Sequence, residues 1–515
     1  MNEALLITPP PSPVLIEDTV GDNTPPAISA VTPSLMDSTP AVPRMEPLNP
    51  QEILAVVEVG SYRVTCAVAR AGISKPVLLA VESVPSYGIR DGEIIDMDRA
   101  SESIRIAVEV ASRRCGLPVE RAVIGFSGDA RMSISRGSLP LTGQRRAVKT
   151  SDLVCLRGGL YPENASKRRT IHRFDGPYSV GELHGVERPV GLHGSSLAMQ
   201  SMFLTAPTGF LANLRQAVHR AGIQAEALAI QPYAASLGTL TADERALGAA
   251  VLDFGGGGFR GALWEGGRLK QFTTGGVDKH TPAAPPTGVM PAPGGMEGML
   301  VHLARRFRIS PSTARCLVLD YGYIGSTPGS ESLQPRRKTA ILNGMNGPCV
   351  EVTSVDGISK VRVELDALSV ALEEMFVPVI RGLRDGLPQF SGGHAAGIVL
   401  VGQGATLKGL PELVSRHFGG ATTRLGVPRW EVNLIPDRNP HFGPSEGSSS
   451  KKSSRRILDQ SISGSHSLDL DGPGACGLCG LVTFGLDRRT REGEPEQIGW
   501  WSWIRGNLRR AVAMF

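Results

Sequence analysis

Two stretches far apart in the chain share one order of residues. In 53–70, ILAVVEVGSYRVTCAVAR, an apolar strand ends in Glu58, an apolar residue and Gly60 before a second strand begins. In 249–266, AAVLDFGGGGFRGALWEG, the order returns with Asp253, Phe254 and four consecutive glycines. Glycine at a strand end permits a tight hairpin, and it also lets backbone N–H groups approach phosphate oxygens. A third element, GIVLVGQGATLKGL at 397–410, runs from a buried strand through Gly402 and Gly404 into a helix. One such turn constrains little, because glycine after a strand most often means only a turn. Two acid-bearing hairpins with a strand–Gly–x–Gly–helix element constrain much more: this is how two related lobes would clamp a nucleotide. The hairpins would offer N–H groups to the phosphates, their acids would reach Mg²⁺ or a water, and the third loop would lie beside base and ribose.

The chain has the length for two lobes. Its 515 residues are 41% hydrophobic, enough for two or more cored domains, and 62 glycines with 38 prolines require long loops. A net charge of +5 is too diffuse to argue for nucleic acid, so no nucleic-acid partner is expected. Seven scattered cysteines predict reduced thiols in a cytosolic setting. Cys476 and Cys479 form a lone CxxC inside ACGLCGLVTFGL, which reads as a packed small-residue helix. No apolar run reaches the roughly 18 residues of a membrane span. The opening MNEALLITPPPSP lacks the basic and apolar regions of a signal peptide.

Residues 1–50 carry eleven prolines and read as a disordered tail. Helices are predicted at SESIRIAVEVASRRCGL, PTGFLANLRQAVHRAGI, PYAASLGTLTADERALG, GMLVHLARRFR and LDALSVALEEMFVPVIRGLRDGL, whose apolar residues recur near every 3.6 positions. Residues 277–296 read as a Pro/Gly/Ala loop, and 436–474 as a flexible insertion. At the C-terminus, WWSWIRGNLRRAVAMF places Trp500 or Trp501, Ile504, Leu508, Val512 and Phe515 on one helical stripe. Trp503 flanks it, and Arg505, Arg509 and Arg510 lie mostly on other faces. Tryptophan favours the headgroup level and arginine pairs with anionic lipid, so 498–515 reads as an interfacial membrane helix.

Several segments resemble the FtsA family of bacterial cell-division proteins within the actin-like ATPases. They are LTADERALGAAVLDFGGGGFRGALWEGGRLKQF, GFSGDARMSISRG, PVGLHGSSL, NLRQAVHRAGI, GIVLVGQGATLKGLPEL and the terminal Trp/Arg helix, in family order from about residue 52 onward. The resemblance implies a two-lobed, duplicated ribonuclease-H-like α/β fold. Its first lobe would take 51–90 and 205–240, with an FtsA-type subdomain inserted at 91–204. The second would take 241–283 and 373–435, with a small FtsZ-binding subdomain at 284–372. A closing helix at 475–487, a linker at 488–497 and the membrane helix would follow.

The resemblance also implies a site. ATP with Mg²⁺ would touch Gly60, Ser61, Arg63, Asp253, Gly255, Gly256, Gly257, Gly402 and Gly404, with Glu58 toward the metal. The sequence departs from the family at these turns. Glu58 stands for an Asp, and Ser61, Tyr62 and Arg63 stand for Thr-x-Lys. Gly258, Phe259 and Arg260 replace a Thr and a following Asp, and Gln403 replaces a Gly. Ala314, Arg315, Cys316, Leu317 and Val318 replace Ala-Glu-x-x-Lys, removing contacts to the nucleoside. These changes imply weakened ATP binding and at most a weak ATPase. The implied partners are the FtsZ C-terminal peptide, other copies of the chain, other division proteins and anionic lipid through Trp500, Trp501, Trp503, Ile504, Arg505, Leu508, Arg509, Val512 and Phe515. The implied location is the cytoplasmic face of the inner membrane at the division site. The alternatives are an ATPase or sugar-kinase enzyme, or a pilus-assembly adaptor, on the same fold.

Overall fold

The computed structural model describes residues 53–72, 75–141, 146–275, 294–325, 342–344, 347–390, 395–434 and 468–493. The proline-rich tail, the loop at 277–293, the insertion up to 467 and the membrane helix at 498–515 lie outside the described residues.

Each glycine hairpin opens a sheet, and the two sheets repeat one topology. In the first, Ile53–Val59, Arg63–Arg70 and Val77–Pro85 form an antiparallel meander. On its other side Ile53–Val59 runs parallel to Arg121–Phe126, which runs parallel to Gln224–Ile230. In the second, Ala249–Gly255, Gly258–Glu265 and Arg268–Gly275 form the meander, and Ala249–Gly255 is followed in parallel by Ile398–Val401 and Thr423–Leu425. Taken in chain order within each lobe, both sheets read 3-2-1-4-5, and Glu431–Val432 adds a sixth strand to the first. Parallel neighbours need crossovers, which helices supply. Met97–Cys115 and Thr208–Arg220 serve the first lobe, Leu365–Asp385 and Leu410–His417 the second. This is the duplicated, two-lobed actin-like α/β architecture.

Strand alternation sets the two faces of the first sheet. Ala55, Val57 and Val59 pack with Ile104, Ala107 and Leu214 of the crossover helices. Leu54 and Val56 pack with Leu478, Leu481 and Val482 of the C-terminal helix, Cys476–Gly493. Those three side chains are fully buried, each contributing about 1.5–3 kcal/mol. The C-terminal helix meets the helix Gln231–Thr239 backbone to backbone: a Cβ on Gly480 would stand 1.6 Å from the Ala234 carbonyl oxygen. Burial pushes the Cys476 and Cys479 thiols up to about 12, so both are inert packing groups.

Four boundaries differ from expectation. The inserted piece is narrower than 91–204, because Met97–Cys115 covers the first sheet and Arg121–Phe126 is one of its inner strands, apolar on both faces. The separate sheet is Leu183–Val186, Arg168–Val180, Ser196–Pro207 and Arg131–Pro140, with its own core around Leu156, Leu197 and Phe203. The run expected as one helix after Pro232 breaks at Leu240. Thr241 and Glu244 form a capping box there, with bonds of 2.8 and 3.0 Å, and start a second helix, Ala242–Leu247. Residues 468–475 are also packed structure. The Trp430 indole donates to the Leu470 carbonyl at 3.1 Å, and Pro473–Ala475 forms a 3₁₀ turn. The helix expected to close at 487 runs on to 493.

Candidate functional site in the cleft between the lobes

The first hairpin places Glu58 at the end of its opening strand and Arg63 at the start of the next. Arg63 points away from its own lobe: Nη1 donates to Gln403 Oε1 at 2.9 Å and Nη2 to the Gly474 carbonyl at 3.2 Å. The second hairpin has a tighter turn, so Asp253 and Arg260 sit directly opposite on paired strands. Arg260 reaches the other lobe, where its Nη2 donates to the Ser127 carbonyl. The two turns touch. A Cβ on Gly257 would lie 2.3 Å from Ser61 Oγ, which itself accepts the Gly92 N–H at 2.8 Å. The third loop closes the floor, its Gly402 N–H donating to the Pro473 carbonyl at 3.0 Å.

Two connected cavities result. The inner one, about 80 Å³, is lined by Glu58, Gly60, Ser61, Arg63, Asp253, Gly255, Gly256, Gly257 and Gly402, with Ser127, Gln231 and Gly474. The outer one, about 190 Å³, is lined by Glu297, Leu300, Arg315, Tyr321, Gly404, Thr406 and Lys408 among others. Tyr62, Gly256 and Gln403 border both and form the neck. The Arg315 guanidinium lies 3.8 Å from the Tyr62 ring centroid and 3.9 Å from Glu297. Small-molecule sites usually span about 300–1,000 Å³. A nucleotide would therefore have to part this stack or the lobes to enter.

Two acids and one arginine, Glu58, Asp253 and Arg63, line the inner cavity, and the Arg260 guanidinium is buried beside Gly258, outside the lining. Burial raises the Glu58 carboxyl above its usual range, opposed by Arg63 and by a hydrogen bond from Gln231. Burial raises Asp253 to about 7, opposed by Arg260 and reinforced by Glu58. Burial also lowers both guanidinium groups, against the pull of those acids. Among the described residues, Glu58 Oε2, Gln231 Oε1 and Arg260 Nε and Nη1 are buried without a hydrogen-bond partner. Unpaired polar atoms at such a depth are costly, and they mark this cavity as the place where a polar ligand or water would be gained.

A polyphosphate suits glycine turns flanked by guanidinium donors. Mg²⁺ does not suit the same spot. It needs ionised oxygens in an octahedral shell with several waters. Here each candidate carboxylate already faces an arginine, and a divalent ion would sit against two fixed positive charges. On this chemistry Glu58 is a poor ligand for Mg²⁺, and the expected contact finds no support in the cleft.

The structure thus gathers eight of the nine sequence-predicted nucleotide positions around the inner cavity, with Gly404 on the outer one. Sequence reasoning missed Gln231, Ser127, Glu297 and Gly474. Arg315 was visible only as a departure from the family pattern, with no hint that it stacks on Tyr62. The membrane-binding residues between Trp500 and Phe515 lie outside the described residues.

No protein-family model matches the chain. It is 26% identical over 391 residues to the cell division protein FtsA of Streptococcus pneumoniae serotype 2 (strain D39), across 75% of this chain and 77% of that protein. It is 24% identical over 397 residues to FtsA of Escherichia coli (strain K12), across 73% and 84%. The match to FtsA of Agrobacterium fabrum is 29% over 254 residues and spans only 57% of that protein. Among solved structures, the PilM–PilN type IV pilus biogenesis complex is similar, with a TM-score of 0.50 and 16% identity over 84% of this chain and 98% of that one. This last likeness concerns the fold alone.

Proposed function

We propose that this chain, a divergent FtsA-like protein of the actin-like ATPase superfamily, is a cell-division scaffold that ties FtsZ filaments to the cytoplasmic face of the membrane. The observation that carries the reading is the alignment with FtsA relatives over about three quarters of the chain. In this reading the small subdomain, near 284–372, receives the FtsZ C-terminal peptide. The inserted sheet serves self-association and recruitment of later division proteins. Residues 498–515 hold the scaffold on anionic lipid, and ATP enters the cleft weakly to bias assembly. In this reading hydrolysis is at most slow, because an arginine charge beside each cleft carboxyl opposes its taking a proton from water.

The test uses the full chain, FtsZ polymers and anionic vesicles in a flotation assay. The expected result is that FtsZ floats only when this protein is present. Trp501→Glu with Leu508→Glu should leave both proteins at the bottom while their co-sedimentation in solution persists. Arg509→Ala should weaken flotation, more visibly at low salt, since each basic residue near the surface is worth about 1 kcal/mol. Flotation of the double variant would sink the membrane assignment. Failure of FtsZ to float with wild-type protein, while the protein itself floats, would sink the scaffold reading.

A further inference from the structure

We propose that this cleft binds its nucleotide as the metal-free polyanion, with Arg63 and Arg260 supplying the positive charge that a divalent cation ordinarily brings. The inference rests on the reading that the cleft takes ATP, and it concerns how the charge is met. Polyphosphates usually enter protein sites with a metal because their oxygens repel one another and the metal bridges them. In this cleft a guanidinium stands at each glycine turn, fixed from opposite lobes. Arg63 is held in place by Gln403 and the Gly474 carbonyl, at the wall of the inner cavity. Arg260, buried behind the second turn beside Gly258, is anchored through one nitrogen to Ser127, a cavity-lining residue, and among the described residues keeps two buried N–H-bearing nitrogens without partners.

The two arginines balance Glu58 and Asp253 while the site holds no anion, so the cluster is neutral as a whole. When phosphate oxygens arrive, the carboxylates can take up protons and the guanidinium groups turn their donors to the ligand. A guanidinium fork matches phosphate oxygens through paired N–H donors, which a hydrated metal ion at this spot would displace. Excess Mg²⁺ should then compete for the ATP in solution instead of helping it bind.

Calorimetric titration of ATP into the full-length protein, once with EDTA and once with excess Mg²⁺, decides the matter. Binding in EDTA should equal or exceed that in Mg²⁺. Arg63→Gln should weaken it in EDTA about tenfold or more, the loss of one charge-assisted bond, and added Mg²⁺ should not restore it. Arg63→Lys, which keeps the charge but loses the fork, should fall between wild type and Arg63→Gln, with its EDTA affinity still equal to or above that in Mg²⁺. Thermal melts of each variant show that the fold survives, and if Arg63→Gln does not fold, the EDTA and Mg²⁺ titrations of wild type and Arg63→Lys still decide. A tenfold loss of wild-type affinity on chelation would overturn this inference and leave the nucleotide reading standing. No heat of binding in either buffer would overturn the nucleotide reading, and this inference with it.

Discussion

The two glycine hairpins are the same device built at two turn lengths, and the difference decides what their arginines do. In the second hairpin the turn is short, so Asp253 and Arg260 face each other across one strand pair. The two interact as opposite charges within one lobe, but among the described residues the guanidinium donates only to the Ser127 carbonyl across the cleft, and its Nε and Nη1 have no hydrogen-bond partner. In the first hairpin the turn is longer. Glu58 pairs with Thr65, and Arg63 lies at the turn's end, where its guanidinium is free to cross to Gln403 and Gly474. One arginine is therefore mainly the counter-ion of its own strand and the other mainly a clasp between segments. Each lobe nonetheless sends one cation into the other.

The largest expected effect separates these roles. Arg260→Leu should cost about 3–5 kcal/mol in chemical denaturation, since it strands Asp253 as a buried acid without its partner. Arg63→Leu should cost less, about 2–3 kcal/mol, because the acceptors it leaves line a cavity that water can enter. Neutralising the second pair together, Asp253→Asn with Arg260→Gln, should recover most of the loss. Equal costs for Arg63→Leu and Arg260→Leu would erase the distinction between counter-ion and clasp.

A smaller effect appears in the pH profile. Asp253 titrates near 7 in the folded protein and in the ordinary carboxylate range when unfolded, so the folded state holds the extra proton between those values. Its contribution is fully present below the unfolded value and is lost as pH rises through 7. Stability should fall by at most about 1.4 kcal/mol per pH unit from this group across pH 5–7. His172 works in the opposite sense. Burial lowers it to about 3, so its contribution is intact above the usual histidine range and is lost as pH falls below it. Urea titrations of wild type and Asp253→Asn at matched pH isolate the carboxylate, and identical slopes would remove the special status of the second hairpin.

The smallest effect sharpens the first hairpin. Arg315→Ala removes the cation–π contact on Tyr62 and should lower stability by about 0.5–2 kcal/mol. It should at the same time open the neck between the cavities and speed the entry of ATP, followed by stopped-flow fluorescence. A slower entry would mean that Arg315 guides the ligand in and does not bar it.

The sequence made the turns legible because an apolar strand running into glycine is a local signal. The repeated sheet order follows from those turns, once the crossover helices are read from their 3.6-residue spacing. The partners that complete the cleft carry no local mark. Gln231 opens a helix, Ser127 follows an inner strand, and Gly474 belongs to a stretch whose composition reads as flexible; only tertiary packing brings them to Glu58 and Arg63. Thr241 and Glu244 did carry their signal, a capping box, but the apolar spacing around them reads through the break. The reach of Arg63 across the cleft is set by turn length and register, which residue type alone does not encode.

The C-terminal helix gives the molecule a mechanical grain. Any pull on the chain beyond residue 493 enters through this helix and runs along its axis, so its bed of side chains on the first sheet is loaded in shear and must yield all at once. Near the pulled end Arg489 acts as a rivet, gripping Glu226 at 2.8 and 3.0 Å and the Ile53 carbonyl at 2.7 Å. At the other end the helix begins beside Gly474, whose carbonyl holds Arg63. Tension on that helix would thereby reach the residues that clasp the cleft.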